Sequence, residues 1–444
     1  MEKIENKVDD IFIDRGRQFV EEWEEKYLAP YACKSKSRHH TRVFEEIDDA
    51  HRTAFQRDRD RIIYSNSFRN LSDKRQVLIE RNSERNRSRL TNTVEVVQVS
   101  KAIAQAMGLN EDLTEAIALG HDLGHPPFGF MGEEVLDEIL SGEDRVDNVL
   151  TGQDYGGFKH NYQSLRVVDK LEKKYGYEGL NLTAVVREGI LKHTSTRCEK
   201  YNYPGTNLDG LHYEHLMSLT LEGQVAAIAD QIAQRTYDLE DIVRANYISL
   251  KDLRGIKIIQ EVEQEYKIEP LWNSNTDEYI NLLVSGLVRM MVSDVIDNTI
   301  RRIEDFCRRK NRLSDFDEWL VIFSLEVNRK QKELDMFIQK ELGNNFQVNR
   351  ANSKSQKVVR KLFKAYYTNP LQMDDKFLGR YTSKKVDVQF DLRKLPTKLV
   401  REKIKEFQQD PLYARHIADY VASMTDSFAI QEYKAIYIPE ITHL

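Results

Sequence analysis

The chain has 444 residues, enough for a large buried core and, by length alone, for two or three domains. With 31% charged residues, a net charge of -6 and a mean hydropathy of -0.60, it is expected to be water-soluble, with no membrane-spanning run and no overall excess of positive charge for coating nucleic acid. Its three cysteines (Cys33, Cys198, Cys307) are far apart and form no Cys-x-x-Cys pair, which excludes a zinc-ribbon pattern and suits a reducing compartment. The first residues, Met1-Glu2-Lys3-Ile4-Glu5-Asn6, do not read as a signal peptide, so a cytoplasmic location is expected.

Few glycines, only 9 prolines and long periodic segments predict an all-α chain, mainly helical, with at most a small β-hairpin. Residues 1–40 read as a helix and a polar arm ending in Ser37-Arg38-His39-His40. The paired charges Arg57-Asp58-Arg59-Asp60-Arg61 are expected on a surface helix laced with salt bridges. A short strand is expected near 73–79, followed by a basic loop over 81–89. Next comes a helix over about 93–107 that stops at Gly108, with Asn92 and Glu95 placed as a cap and its capping-box partner. Asn110 then caps a second helix, which ends at His121 and Asp122.

The segment Gly120-His121-Asp122-Leu123-Gly124-His125-Pro126-Pro127-Phe128-Gly129-Phe130-Met131-Gly132-Glu133 is the most informative. An imidazole and a carboxylate side by side can hold a divalent metal, and the Gly-Pro turn can present His125 and Glu133 beside it. Attack of water on a phosphate needs such a set: a Lewis acid, an activated water and a proton donor for the leaving oxygen. The structural alternatives are a hinge role for His125 and dipole compensation by Glu133 in a helix over about 132–141. His160, likewise, reads equally well as a buried, hydrogen-bonded histidine. Phe130 occupies a position where this chemistry calls for a polar group. Further on, a helix over about 221–245 has an apolar face (Val225, Ile228, Ala229, Ile232, Leu239, Ile242) and a second, polar stripe of Asp230, Gln234, Tyr237, Asp238 and Asp241. A little strand is expected near 388–392, and a last helix over about 413–437.

Several ordered blocks together resemble the bacterial deoxyguanosine triphosphate triphosphohydrolases, within the HD-domain phosphohydrolases. They are Arg52-Thr53-Ala54-Phe55-Gln56-Arg57-Asp58-Arg59-Asp60-Arg61, Ser88-Arg89-Leu90-Thr91, the run from Gly108 to Glu133, Gly157-Phe158-Lys159-His160-Asn161, Arg187-Glu188-Gly189-Ile190-Leu191-Lys192-His193 and Asp419-Tyr420-Val421-Ala422-Ser423-Met424-Thr425-Asp426. The resemblance implies a helical, usually oligomeric and often hexameric enzyme that hydrolyses a dNTP to the deoxynucleoside and tripolyphosphate with a divalent metal, Mg²⁺ or Mn²⁺ first. It implies metal ligands at His121, Asp122 and Asp230, with Asn92 where the family has a histidine. It implies catalytic roles for His125, Glu133 and His160, phosphate contacts from Arg89 and Lys192, and substrate contacts at Gln234, Tyr237 and Asp238, the last near the sugar. The family pattern has a histidine at Phe130, a tyrosine at Gln234, commonly a histidine at Tyr237, and a histidine and an arginine at Tyr64 and Asn70.

These departures leave two readings open: a dNTP triphosphohydrolase with an altered metal site, or a catalytically inactive dNTP-binding subunit that partners an active paralogue. Arg81 to Arg89, and Arg301-Arg302 with Arg308-Arg309-Lys310, add single-stranded nucleic acid as an accessory partner to consider. The expected organisation is an arm over 1–40, the HD core over 41–247 and a helical C-terminal region over 248–444 packed on it.

Overall fold

The computed structural model describes residues 16–37, 41–75, 87–196, 200–203, 206–382 and 392–439. The fold is all-α: among these residues β pairing is limited to two isolated bridges, Arg75 with Ser88 and Lys173 with Gly179. The expected strand near 388–392 falls almost wholly outside the described residues, as do 76–79 of the expected strand and 81–86 of the basic loop.

In chain order the first half contains α1 (Arg17–Tyr27), α2 (Ala54–Ile63), α3 (Asn66–Asn70), α4 (Arg89–Ala106), α5 (Glu111–Gly120), α6 (Phe130–Leu140), α7 (His160–Arg166), α8 (Ala184–Lys192) and α9 (Leu221–Arg244). The second half contains α10 (Leu250–Leu253), α11 (Lys257–Tyr266), α12 (Leu271–Ser274), α13 (Thr276–Lys310), α14 (Leu325–Asn344), α15 (Phe346–Thr368), α16 (Asp375–Thr382), α17 (Thr397–Gln408), α18 (Pro411–Ser423) and α19 (Asp426–Tyr437).

Local chemistry accounts for most of the boundaries. Thr53 and Gln56 form a reciprocal capping box on α2, and Asn110 accepts the Leu113 N–H at the start of α5. The expected cap at Asn92 is corrected. Ser88 caps α4 by accepting the Thr91 N–H, so the helix starts at Arg89 and Asn92 lies inside its first turns, fully buried. Glu95, the supposed capping partner, pairs instead with Arg87 at 3.1 Å. The last expected helix is two, because Thr425 caps α19 afresh by accepting the Phe428 N–H.

The charged helix α2 is laced with salt bridges, as expected, Arg57 with Glu46 and Arg59 with Asp112, but only part of it faces the surface. Asp58 and Arg61 are buried, with Asp58 paired to Arg42 at 2.5 Å and accepting from the Thr183 N–H and hydroxyl, and Arg61 paired to Glu46. Contrary to expectation, one helix is long and apolar enough to cross a membrane by length and composition: α13 holds an 18-residue window of mean hydropathy 1.5. Its stripe of Ile280, Leu283, Leu287, Met291 and Val295 is buried, and α13 packs on α9 and α11, as a core helix passing the same test does.

Two hydrophobic clusters hold the molecule together. The first joins Ile62 of α2, Val96 of α4, Ile117 of α5, Ile190 of α8, Ile228 of α9, Ile259 of α11 and Leu287 of α13. The second places Val135, Leu136, Ile139 and Leu140 of α6 against Leu362, Phe363 and Tyr366 of α15 and Tyr413, Ile417 and Val421 of α18. Helix α6, which carries Glu133, is therefore seated on the C-terminal helices.

Candidate active site

Helix α5 ends by delivering His121 and Asp122 into the interior, both buried. The Nδ1 atom of His121 lies 2.6 Å from the Ala118 carbonyl, which fixes the ring and turns Nε2 inward. That Nε2 has no hydrogen-bond partner, although Oδ1 of Asp122 and Oδ1 of Asp230 on α9 stand 3.4 and 3.5 Å away. Burial acts against a charged ring here, yet the two carboxylates hold His121 up at about 9. The pocket calls for positive charge at this point.

The turn after Asp122 owes its shape to two glycines. A Cβ on Gly124 would stand 2.1 Å from the Ser164 nitrogen and 2.3 Å from the His160 carbonyl, so only glycine lets the turn lie against α7. Gly129 has φ +56°, and a Cβ there would meet Arg89 Nη2 at 2.7 Å. The turn is held by Lys74, whose ammonium donates to the His125 and Ala422 carbonyls, and by Asp426, which accepts the Phe128 N–H at 2.8 Å.

The groups converge around Asp122. Its Oδ2 accepts from Arg89 Nη1 at 2.8 Å, and its Oδ1 lies 3.1 Å from His125 Nε2. The His125 ring stacks on His160, centroids 4.0 Å apart and planes within 12°. His160 opens α7, where Glu133 accepts both its backbone N–H at 2.9 Å and its Nδ1–H at 2.5 Å. Against the effect of burial, His160 holds the Glu133 carboxyl well below the usual range. His193, at the end of α8, completes the group, with its Nε2 3.1 Å from Nε2 of His160. Burial, with Arg89 and His160 alongside, pushes His125 down to about 3, and burial with His121 and His160 nearby does the same to His193.

The expected residues thus divide. His121, Asp122, Asp230, His125, Glu133, His160 and Arg89 meet in one linked cluster, while Asn92 is buried with both amide atoms unpartnered. Asp238 lies two turns beyond Asp230, and burial, with Asp241 second, lifts it to about 8. Tyr237 lies under the Arg87 guanidinium, 4.8 Å from it, and Gln234 is exposed. The Lys192 ammonium turns to Glu188 at 2.8 Å and to the His212 carbonyl, with no exposed side-chain surface left for a phosphate. Phe130, at the first position of α6, is 64% exposed. The basic cluster at the end of α13 is largely neutralised, Arg309 by Asp305 and Glu318, and Lys310 by Asp317 and Glu318. Sequence reasoning gave His193 no role; its one signal was a histidine closing the block that begins at Arg187.

The HD domain pattern matches residues 89–235, and the phosphohydrolase-associated domain matches 321–395 and 386–435. A deoxyguanosinetriphosphate triphosphohydrolase-like protein of Geobacter metallireducens is 34% identical over 93% of this chain and 95% of its own length. Proteins of the same description are 34% identical in Nitrosomonas europaea (92% of this chain, 98% of the relative) and 35% identical in Geobacter sulfurreducens (93% and 95%). The chain belongs to this dGTP triphosphohydrolase-like family of HD-domain phosphohydrolases. A divalent ion fits the residues that this member offers, with the unpartnered Nε2 of His121 set between two carboxylates.

Proposed function

We propose that this chain is a metal-dependent hydrolase of a deoxynucleoside triphosphate, releasing the deoxynucleoside and tripolyphosphate. The observation that carries the reading is the buried convergence of His121, Asp122 and Asp230 with His125, His160 and Glu133. His121, Asp122 and Asp230 would hold the ion, which when bound would supply Lewis acidity and an activated water. Water adds at the α-phosphorus, the bond from that phosphorus to the 5′ oxygen breaks, and the departing oxygen takes a proton.

Phe130 has no proton to give, so the donor is His160, held by Glu133, with the neutral ring of His125 stacked on it. The Arg89 guanidinium, fixed on Asp122, faces the same centre and neutralises phosphate charge as it gathers. The side chain of Asp230 keeps 23% of its surface exposed, which gives the otherwise buried cluster a side open to substrate.

The second reading, a dNTP-binding subunit without turnover, draws on Asn92 and Phe130 together. One assay separates the two. Metal-stripped protein is given Mg²⁺, Mn²⁺ or Co²⁺ with each dNTP, and tripolyphosphate release is followed. Metal-dependent release that disappears in Asp122→Ala is the expected result; dNTP binding without release in any metal favours the inactive subunit.

A further inference from the structure

A cavity of about 220 Å³ lies where α3, the turn after Asp122 and the C-terminal helices α16 and α18 come together. Leu123 and Gly124 line it from the turn, Asn70 from α3, Phe377 from α16 and Ala422 from α18. Four cations also line it: Lys74, Lys173, Lys376 and Arg380. Among the described residues, no ion pair joins any of the four to a carboxylate. Lys74 is only 3% exposed, and its ammonium donates to the His125 and Ala422 carbonyls. Burial pushes it down to about 7, against the pull of Asp426. Arg380 gives Nη1 to the Leu171 carbonyl at 3.1 Å and lies over the Phe377 ring, 4.8 Å from its centroid. Lys173 and Lys376 are exposed.

Two acids line the same cavity, and both are engaged elsewhere. Glu172 Oε1 accepts the Ser67 N–H at 2.8 Å and the Ser67 hydroxyl at 2.7 Å. Asp419 accepts from Arg166 Nη2 at 2.7 Å and from Gln163 Nε2 at 2.9 Å. The lining therefore carries positive charge in excess, and its buried ammonium rests on neutral carbonyls alone. A buried charge without a counter-ion is costly, so the cavity favours an anion, and several cations around one space favour an anion of more than one charge. Pockets for drug-sized ligands run about 300–1,000 Å³, so this one suits a small oxyanion rather than a whole nucleotide.

We propose that this cavity binds a multivalent phosphate oxyanion, either orthophosphate or tripolyphosphate, through Lys74, Lys173, Lys376 and Arg380. Arginine and lysine are the side chains that grip phosphate oxygens. The bound anion would answer the Lys74 charge and so brace the turn carrying His125 against α18, which Lys74 already joins. The inference stands apart from the proposed hydrolysis, except that hydrolysis would make tripolyphosphate a product.

The test is isothermal titration of the full-length, metal-stripped and dialysed protein with sodium phosphate and, separately, with sodium tripolyphosphate. Saturable binding of one anion per chain is expected, and whichever of the two binds more tightly identifies the source. The exposed pair Lys173→Gln/Lys376→Gln should weaken it by about tenfold or more, as should Arg380→Met. Arg89→Met, in the active-site cluster, should leave it unchanged. Absence of saturable binding with either anion overturns the site, and so does equal affinity in the double lysine variant. Binding lost in Arg89→Met but kept in the double variant also overturns it, because the anion then sits in the active site. If Arg380→Met does not fold, the double variant, altered only at exposed side chains, decides. No arm reads turnover, so failure here leaves the proposed hydrolase standing.

Discussion

Asn92 is the most unusual single residue of α4. Its amide is fully buried and neither the oxygen nor the nitrogen has a partner. A buried polar group left unpaired costs about 1–3 kcal/mol, so the residue strains the metal-free protein unless something binds the oxygen. Asn92→Leu, close in size and without polar atoms, is expected to stabilise the chelator-treated protein by about 1–3 kcal/mol. It should also shrink the stabilisation that Mn²⁺ confers on the wild type. Thermal melts with chelator and with Mn²⁺ check both, and a leucine variant that melts lower in chelator would show that the amide has a structural partner. Phe130 presents the opposite case. It is 64% exposed, so Phe130→His should leave the melting temperature nearly unchanged. An imidazole one turn before Glu133 should raise turnover, by about 10²-fold, at the low end for a positioned acid because the site is open to water. Steady-state kinetics would decide it, and an unchanged rate would mean that His160 already supplies the proton.

At the scale of elements, the first turn of α9 is anchored through a carboxyl as well as through packing. Glu222 is fully buried, and its Oε1 accepts the N–H groups of Cys33 and Asn110, which ties the chain around Cys33 and the cap of α5 to α9. Burial raises this carboxyl from 4.5 to about 7, with Glu24 nearby adding to the effect. A raised acid favours the protonated folded form. Its contribution is therefore full below about 4.5 and is lost as pH rises through about 7. A shift of this size corresponds to about 3 kcal/mol. Denaturant unfolding from pH 5 to pH 8 should show the wild type losing stability relative to Glu222→Gln, whose amide oxygen keeps both bonds. Parallel profiles for the two proteins would mean that Glu222 ionises in the fold without penalty.

For the whole molecule, the candidate active site is shared between the two hydrophobic clusters. His121 and Asp122 belong to helices of the first, whereas Glu133 rides on α6, whose buried face is in the second with α15 and α18. Lys74 and Asp426 stitch the turn after Asp122 to the C-terminal segments. Phe363 on α15 is completely buried in the second cluster. Phe363→Ala should cost about 3–5 kcal/mol of unfolding free energy. Although it lies outside the metal cluster, it should also lower turnover by loosening the seat of Glu133. Urea unfolding and steady-state rates measure the two effects, and full activity with the stability loss would show that α6 holds its place without α15.

The sequence by itself determined the helical class, the two helices that bring His121 and Asp122 to one end, and the polar stripe that carries Asp230. Each follows from local rules: a capping asparagine before a helix, a glycine after one, and apolar residues at three- and four-residue steps. The departures at Asn92 and Phe130 came from the resemblance, which says what the family places there; residue type then fixes which atoms can donate. Only the tertiary structure decided that Ser88 starts α4 and buries Asn92, since the Asn92–Glu95 spacing reads as a cap and packing carries the helix one turn further back. It alone turned Lys192 onto Glu188 and set His193 against His160 across 33 positions, because which ring faces which depends on how α7 and α8 pack.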